Sequence, residues 1–256
     1  MRLINMTTPQ VAEYFKKNDT VLFAMGSIEN HGYHNCVGVD TLVPDRILDL
    51  VEKKCDVLIV PTLPYGACDS MLGFPGTISL GTEVLYGVVN KVVESLHMHG
   101  ARRILFINGH GGNTGALERV GLEWYKKGVI TATLSWWSML AGLRPDDPAW
   151  VSGHGGGVET AAIMAIDPSL VDLSALREME LLGTLGDELP PHGFGTVKFK
   201  GVEIKVNRPI KSFTDNGWFG WPDHPKTATA EWGQEMLDAV ADYTAEFVQA
   251  FKRAKI

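Results

Sequence analysis

The sequence predicts an α/β fold with a mostly parallel central sheet that is covered on both faces. Short apolar runs typical of strands alternate with amphipathic segments typical of helices, which is the pattern of βαβ units. The apolar runs are continuous instead of alternating with polar residues, as expected of strands buried on both faces. No internal repeat or linker interrupts this pattern, so residues 1–256 are predicted to form one domain.

The predicted elements follow one another along the chain. Thr8-Pro9 begins a first helix, because proline is favoured in the first helical turn. Strands are predicted over residues 21–25, 57–60, 103–107 and 129–135, and Pro61 is expected to end the second of them. Helices are predicted over residues 42–51, from 82 to about 96, from the glycine-rich turn to about 127 and from about 227 to about 252. The residues between 196 and 206 alternate around Lys200-Gly201, which predicts an antiparallel hairpin.

Composition narrows the class of protein. The hydrophobic fraction is 45%, the charged fraction 21% and the net charge −7, which is ordinary for a globular chain and argues against a nucleic-acid partner. No signal peptide or apolar segment long enough for a membrane span is visible, so a cytoplasmic protein without a membrane partner is expected. Cys36, Cys55 and Cys68 are irregularly spaced and predict neither a disulfide framework nor a cysteine zinc site.

Three side chains near the N-terminus form the clearest chemical signal. Glu29 and His31 are two residues apart, so they point the same way if the backbone between them is extended. Asp40 follows nine residues after His31, on a predicted loop that can bring it to the same point. Carboxylates and an imidazole grouped in this way indicate a site for a divalent metal ion.

Four polar or aromatic segments each follow a predicted strand and are expected to meet. Open parallel sheets bind ligands in the crevice outside the carboxyl ends of their strands. The four segments are Glu29–His31, Tyr65-Gly66, Asn108–His110 and Trp136-Trp137. They are therefore predicted to form one site at one edge of the sheet.

The glycine-rich turn around His110 has two interpretations. The run from Asn108 to Asn113 follows a strand and opens a helix, so its N–H groups would suit a phosphate. It has neither the spacing nor the lysine of the known nucleotide-binding loops. We favour the second interpretation, in which His110 is a metal ligand and the glycines permit a close-packed turn.

A second glycine-rich segment supplies His154 and Glu159, the two candidate catalytic residues. His154 is predicted to lie in a flexible loop, and Glu159 at or near the start of a helix. Glu159 is either a metal ligand or a first-turn residue that the helix dipole favours. Spacing alone leaves both alternatives open.

The candidate metal ligands are Glu29, His31, Asp40, His110 and Glu159. Two imidazoles and three carboxylates without a thiolate suit Zn²⁺, Mn²⁺ or Fe²⁺. Five ligands exceed what one open catalytic ion takes, and they fit two ions about 3.5–4 Å apart with Asp40 as the bridge. Water activated between two such ions would attack a carbonyl carbon, and His154 would pass a proton to the leaving nitrogen.

Five ordered blocks, covering nearly the whole chain, resemble the creatininase (creatinine amidohydrolase) family. Gly26 to Gly32 with Asp40 is similar to the family's G-S-x-E-Q-H-G…D segment, and Pro64 to Thr77 is similar to its P-Y-G…F-P-G-T loop. Asn108 to Asn113 matches its N-G-H-G-G-N turn. His154 to Thr160 resembles its H-A-G-x-x-E-T segment, and Gly220 to Gly233 resembles a stretched form of its G-x-P…A-T-A-E-x-G block.

The resemblance implies a cytosolic metal-dependent hydrolase with a three-layer α/β sandwich, often a hexamer built as a trimer of dimers. It implies that Glu29, Asp40 and His110 bind one metal ion, and that His31, Asp40 and a glutamate bind the other. In creatininase that glutamate lies in the glycine turn, where this chain has Gly112. Glu159 is therefore our candidate for the missing ligand, and if it does not reach, only one metal ion is held firmly.

The candidate substrate contacts are Tyr65, Cys68, Trp136 and Trp150. Trp150 matches a tryptophan that in creatininase covers the substrate. Cys68 and Met71 stand where many members carry serine and histidine, which argues against creatinine itself. The aromatic segment 215–225 is longer than usual and forms either a lid over a flat ring or a contact between subunits. His34 is expected to be a surface loop residue.

Three functions follow from these observations. The leading prediction is metal-dependent hydrolysis of a C–N bond other than a peptide bond, in a small cyclic amide or a formamide. The first alternative keeps the metal and opens a cyclic polyol ketone, such as a keto-inositol, by carbon–carbon cleavage. The second alternative is a phosphate-ligand binding protein without catalysis, which leaves three neighbouring carboxylates unexplained.

Overall fold

A computed structural model of the chain describes residues 1–183, 185–193, 195–219 and 223–255. Its main sheet has four parallel strands in the order β2-β1-β3-β4, namely β1 Thr20–Met25, β2 Leu58–Leu63, β3 Arg103–Asn108 and β4 Ile130–Ser135. The helices between them are α1 Thr8–Lys17, α2 Val39–Glu52, α3 Gly81–Met98 and α4 Thr114–Tyr125. After β4 come α5 Trp136–Leu143, α6 Gly157–Ile166 and the final helix α7 Ala230–Phe251. No described helix is both long and apolar enough to cross a bilayer.

Helices cover both faces of the sheet, which confirms the predicted three-layer α/β sandwich. Alternate residues of a strand point to opposite faces. On β1, Leu22 and Ala24 pack in a core cluster with α2, α6 and α7. Val21 and Phe23 pack in a second cluster with α3 and α4 on the other face. Continuous apolar strands in the sequence are therefore the consequence of burial on two sides.

Two differences from the sequence-based expectation have a clear physical reason. β2 continues through Pro61 to Leu63 instead of ending before the proline. The strand lies at the edge of the sheet, where a residue without an N–H group costs no ladder hydrogen bond if it faces outwards. Asp40 was expected on a loop, but α2 begins at Val39, so Asp40 lies in its first turn. The N-terminal end of a helix favours a carboxylate there.

A small antiparallel sheet follows α6. It consists of β5 Pro191–His192, β6 Thr196–Phe199 and β7 Val202–Lys205. The predicted hairpin is confirmed, with Phe199 paired to Val202 across the two-residue turn Lys200-Gly201. Both turn residues have positive φ angles, 48° and 85°, as a tight hairpin of this kind requires.

Tyr14 ties α1 to two strands, and its loss is expected to destabilise the fold. Its buried hydroxyl donates to the carbonyl oxygen of Thr20 at 2.6 Å and accepts from the Leu58 N–H at 3.1 Å. Tyr14→Phe leaves both backbone groups without this partner, which should lower the free energy of unfolding by about 1–3 kcal/mol. Urea unfolding measures this, with Tyr125→Phe as control because Tyr125 is 68% exposed. Equal unfolding midpoints for Tyr14→Phe and the unsubstituted chain would show that the hydroxyl contributes nothing.

Candidate metal centre

Loops that follow β1, β2 and β3 meet at the carboxyl edge of the main sheet. The side chain of Asn113 joins them, because its amide nitrogen donates to Gly26 O at 3.0 Å and its Oδ1 accepts from Ala67 N at 3.0 Å. Asn108 Oδ1 accepts from the backbone N–H of His110 at 3.2 Å. The two asparagines of the glycine-rich turn therefore brace the neighbouring loops and fix the place of His110.

Asp40 lies at the centre of the cluster. Its Oδ1 is 3.1 Å from His31 Nε2, and its Oδ2 is 3.0 Å from His110 Nδ1. The hydroxyl of Ser27 donates to Oδ2 at 2.8 Å. The two oxygens of one buried carboxylate thus face two different imidazoles, which is the arrangement expected of a bridging ligand.

Backbone carbonyl groups orient both imidazoles toward Asp40. His31 Nδ1 is 3.1 Å from Glu29 O, and His110 Nε2 is 3.1 Å from Ala67 O. A carbonyl oxygen only accepts hydrogen bonds, so each of these ring nitrogens carries the proton and donates it. The opposite nitrogens, which face Asp40, are the ones available to a metal ion. Metal-binding histidines characteristically donate their other ring N–H in this way.

Two glutamates complete two groups of three ligands. Glu29 Oε1 is 3.2 Å from His110 Nδ1, and Glu159 Oε2 is 3.5 Å from His31 Nε2. The donor atoms of Glu29, Asp40 and His110 all lie within 4.8 Å of one another. The same holds for the donor atoms of His31, Asp40 and Glu159. The five predicted ligands are therefore close together, as two groups that share Asp40.

Burial and mutual charge shift the pKa values of these groups. Burial raises the pKa of Glu29, and it raises that of Glu159 to about 8. Burial opposes charge at His31 too, but the carboxylates of Asp40 and Glu159 outweigh it and raise the His31 pKa to about 10. Against burial, His31 and His110 hold the pKa of Asp40 well below its usual range. Protons on the imidazoles balance the buried carboxylates, and a metal ion would have to displace them.

The cluster fits a divalent metal ion on two further grounds. Glu29 Oε2 is buried and has no hydrogen-bond partner among the described residues, which is unusual for a carboxylate oxygen. The donors are imidazole and carboxylate groups without a thiolate, the set that suits Zn²⁺, Mn²⁺ or Fe²⁺. A metal ion would satisfy the orphaned oxygen and the buried negative charge together.

His154 lies beside the two groups of ligands. Its Nε2 donates to Asn30 O at 2.7 Å, and its Nδ1 is 3.7 Å from Glu29 Oε1. Its ring stacks on Phe219 with centroids 5.0 Å apart and lies 4.3 Å from the ring of His31. Burial, with the nearby His31, lowers the pKa of His154 to about 3. The imidazole is therefore held neutral, with one nitrogen directed toward the carboxylates.

Two positions of the glycine-rich turn require glycine, because backbone carbonyl oxygens of neighbouring segments approach them closely. A Cβ atom on Gly109 would lie 1.9 Å from Asp40 O, and one on Gly112 would lie 2.0 Å from Ala67 O. A glutamate at position 112 would therefore need a different path for the loop after β2. Glu159 approaches the cluster from α6 instead.

A cavity of about 340 Å³ opens onto the cluster. Its floor includes Glu29, Asp40, His110 and Glu159. Its walls include the apolar side chains Met71, Trp137 and Phe219 and the hydroxyls of Ser70 and Ser152. None of the described lining residues is lysine or arginine. The cavity is small and is lined in part by aromatic rings.

The four predicted substrate contacts lie elsewhere in this structure. Trp136 packs in the core, and its neighbour Trp137 lines the cavity instead, because successive residues of α5 point in different directions. Trp150 borders a separate open cleft, where Arg144 lies over its ring at 5.2 Å. Tyr65 is 41% exposed and lies outside the described lining. The buried Cys68 thiol donates to Ile78 O at 3.3 Å, and burial raises its pKa to about 12.

Sequence reasoning misplaced or missed residues that hold the site together. His34, expected at the surface, is buried, and its Nε2 donates to Gly155 O at 3.0 Å. Burial lowers the pKa of His34 to about 4. Asp223 is also buried and accepts N–H groups from the loop that carries His154. Trp137 and Ser27 were visible as neighbours of predicted site residues, whereas no local signal pointed to Asp223.

The aromatic segment 215–225 contributes to the site through the part that the structure describes. Phe219 lines the cavity and stacks on His154. Trp218 is buried, and its indole N–H donates to Arg177 O at 2.6 Å. Residues 220–222, which include the start of the fifth family-like block, lie outside the described residues. Phe219 is thus the side chain that supports the lid interpretation. Trp218 packs against its own chain.

Comparison with known proteins gives consistent results. A creatinine amidohydrolase from Pseudomonas putida is 31% identical over 176 residues, which cover 60% of this chain and 66% of that enzyme. A mycofactocin precursor peptide peptidase from Mycobacterium tuberculosis (strain H37Rv) is 28% identical over 234 residues, covering 87% and 82%. A manganese creatininase structure matches with a TM-score of 0.71 and 25% identity over 99% of both chains.

The chain thus spans just under two thirds of the length of the Pseudomonas enzyme. The match to the manganese creatininase structure extends over nearly the whole of both chains. The sequence profile of the family described as creatininase (creatinine amidohydrolase) matches residues 4–248. Because this match extends over nearly the whole sequence, the chain belongs to the creatininase family.

Proposed function

We propose that this chain is a metal-dependent hydrolase that cleaves the C–N bond of a small cyclic amide or a formamide. One metal ion would be held by Glu29, Asp40 and His110, and the other by His31, Asp40 and Glu159. The observation that carries the proposal is the geometry at Asp40, whose two oxygens face His31 Nε2 and His110 Nδ1 at 3.1 and 3.0 Å. Both imidazoles are turned toward it by backbone carbonyl groups.

The chemistry divides between the metal ions and the chain. When bound, two divalent ions supply Lewis acidity, polarising a substrate carbonyl and lowering the pKa of water. Hydrolysis forms a C–O bond and breaks the C–N bond, so one proton must leave the attacking water and one must reach the leaving nitrogen. His154 Nδ1 is directed toward Glu29 Oε1 at the cavity wall, and we assign this proton transfer to it.

The size and the aromatic lining of the cavity support a small, flat substrate. Trp137 and Phe219 offer ring faces, and Ser70 and Ser152 offer hydroxyl groups to polar atoms. In the absence of metal ions, three carboxylates without a neighbouring lysine or arginine in the described lining would repel a phosphate ligand. This argues against the phosphate-binding alternative, in which no metal ion is bound.

The substrate itself is a matter for experiment. Two of the similar proteins are named for the hydrolysis of creatinine and of a precursor peptide, which are cleavages of C–N bonds. A third, from Thermotoga maritima and 30% identical over 107 residues, is named 3-dehydro-scyllo-inosose hydrolase. Opening of a cyclic polyol ketone remains the second candidate, because the cavity hydroxyls and metal ligands suit a hydrated carbonyl equally well. A hexamer, expected from the family, also stays a proposal, and light scattering of the purified chain measures it.

The proposed function predicts a metal requirement that a chelator reveals. Dialysis against a chelator should remove metal-dependent turnover, and Zn²⁺, Mn²⁺ or Fe²⁺ should restore it. The assay panel contains lactams, formamides, short peptides and keto-inositols, and turnover of a lactam or formamide is the expected result. Full activity in metal-free protein would overturn the proposal. If only keto-inositols are turned over, the proposed metal centre stands, but the bond that is cleaved is a C–C bond and not a C–N bond.

A further inference from the structure

One carboxylate holds both ends of the loop that connects His154 to Glu159. Asp223 Oδ2 accepts from Gly153 N at 3.0 Å, and its Oδ1 accepts from Val158 N at 2.9 Å. Asp223 lies more than 60 residues beyond the loop in sequence and is 6% exposed. It lies outside the described lining of the cavity, so any effect on the reaction must pass through the loop.

The glycines of this loop make room for Asp223. A Cβ atom on Gly156 would lie 2.2 Å from Asp223 Oδ2, and one on Gly157 would lie 2.6 Å from Asp223 Oδ1. Both distances are shorter than any real contact allows, so a side chain at either position would displace the carboxylate. The run of glycines before Glu159 therefore has a packing reason, which is the close approach of Asp223.

Asp223 also replaces a missing helix cap. Gly156, the N-cap residue of α6, has no side chain to accept from the first free N–H groups of the helix. Asp223 accepts from the N–H of Val158, one residue before Glu159. The start of α6, and with it the backbone of Glu159, is thus fixed by a residue from a distant segment.

The middle of the loop orients the Glu159 carboxylate directly. Gly155 N donates to Glu159 Oε2 at 2.6 Å, and Gly155 has a φ angle of 63°. A Cβ atom there would lie 2.8 Å from His31 O, so the loop is packed against the metal ligands. A shift of the loop ends would change both the direction of Glu159 and the place of His154.

We propose that Asp223 is a positioning residue, which fixes the loop 153–158 so that Glu159 reaches the second metal position. This inference rests on the proposed function, because it concerns the ligand of the second ion. It predicts that loss of Asp223 affects the ion at His31, Asp40 and Glu159 and spares the ion at Glu29, Asp40 and His110.

Asp223→Asn is the test, because asparagine has a similar size but only one acceptor oxygen. Metal titration calorimetry with Zn²⁺ or Mn²⁺ and elemental analysis count the ions per chain. We expect two in the unsubstituted protein, and in Asp223→Asn one bound with unchanged affinity and one weakened about 10–100-fold. Asp167→Asn is the matched control, since Asp167 accepts from Ser169 N at 2.9 Å at the exposed other end of α6. It should bind two ions normally.

The other outcomes of this experiment separate failure of the positioning role from failure of the proposed function. Two ions bound with unchanged affinity in Asp223→Asn would overturn the positioning role and leave the proposed function intact. Loss of both ions from a folded variant would also overturn it, because the effect would not be specific to Glu159. If the unsubstituted protein binds no metal, the proposed function fails first. If asparagine prevents folding, Asp223→Glu keeps the charge but adds length against Gly156 and Gly157, and the same ion count decides.

Discussion

Asp40→Asn is expected to remove both metal ions and nearly all activity. The substitution keeps the size of the side chain but replaces one of the two anionic oxygens that face His31 and His110. In the proposed two-metal assignment both ions share this residue, so the affinity at each position should fall by more than about 100-fold. Loss of Lewis acidity worth several kcal/mol corresponds to a fall in kcat/KM on the order of 1,000-fold. Elemental analysis and the lactam or formamide assay measure the two effects.

Asp49→Asn serves as the matched control for this experiment. Asp49 lies on the same helix, α2, and its carboxylate pairs at the half-exposed surface with Arg2. An exposed ion pair contributes about 1 kcal/mol or less, so metal content and activity should be unchanged. Asp40→Asn protein that retained two ions would show that Asp40 does not bridge. Retention of one ion would assign Asp40 to a single position.

Glu159→Gln is expected to remove one metal ion and leave the other. Glu159 Oε2 is 3.5 Å from His31 Nε2, while His110 belongs to the group completed by Glu29. The ion count should fall from two to one, and kcat/KM should fall on the order of 100-fold or more, since one Lewis acid is lost. Glu29→Gln should give the reciprocal result, leaving the ion at His31.

A second first-turn glutamate separates the role of Glu159 as a ligand from a helix-dipole effect. Glu231 lies exposed in the first turn of α7, far from the cluster in sequence. A dipole interaction contributes about 0.3–1 kcal/mol at either position and affects stability alone. Glu231→Gln should therefore keep both ions and full activity. If Glu159→Gln also kept both ions and full activity, Glu159 would be a first-turn residue without a ligand role. The assignment of Glu159 to the second metal ion would then be wrong.

Much of the fold was predictable because local pattern and burial agree. The strands β1 and β3 are buried on both faces of the sheet, and this burial explains why their sequences are continuously apolar. The predicted end of β2 was wrong because proline is tolerated in a strand at the edge of a sheet. Which strand lies at the edge depends on the order of the strands in the sheet. The sequence alone does not contain that order.

The grouping of the candidate ligands was predictable where chemistry-bearing residues follow strands, whereas the side chains that line the cavity were not. Glu29, His31 and His110 lie at strand ends, so the topology of a parallel sheet brings them together. Whether Trp136 or Trp137 faces the cavity depends on the rotation of α5, which the sequence leaves open. Asp223 was missed because its partners are backbone N–H groups of a loop 65 to 70 residues away.

Diffraction from crystals of the metal-loaded chain, with anomalous scattering recorded at the absorption edge of the metal, tests the account most directly. The two-metal assignment predicts two anomalous peaks about 3.5–4 Å apart, one on each side of the Asp40 carboxylate. Glu29 and His110 should bind one of them, and His31 and Glu159 the other. A single peak with Glu159 turned away from it, or no peak among these five side chains, would contradict the account.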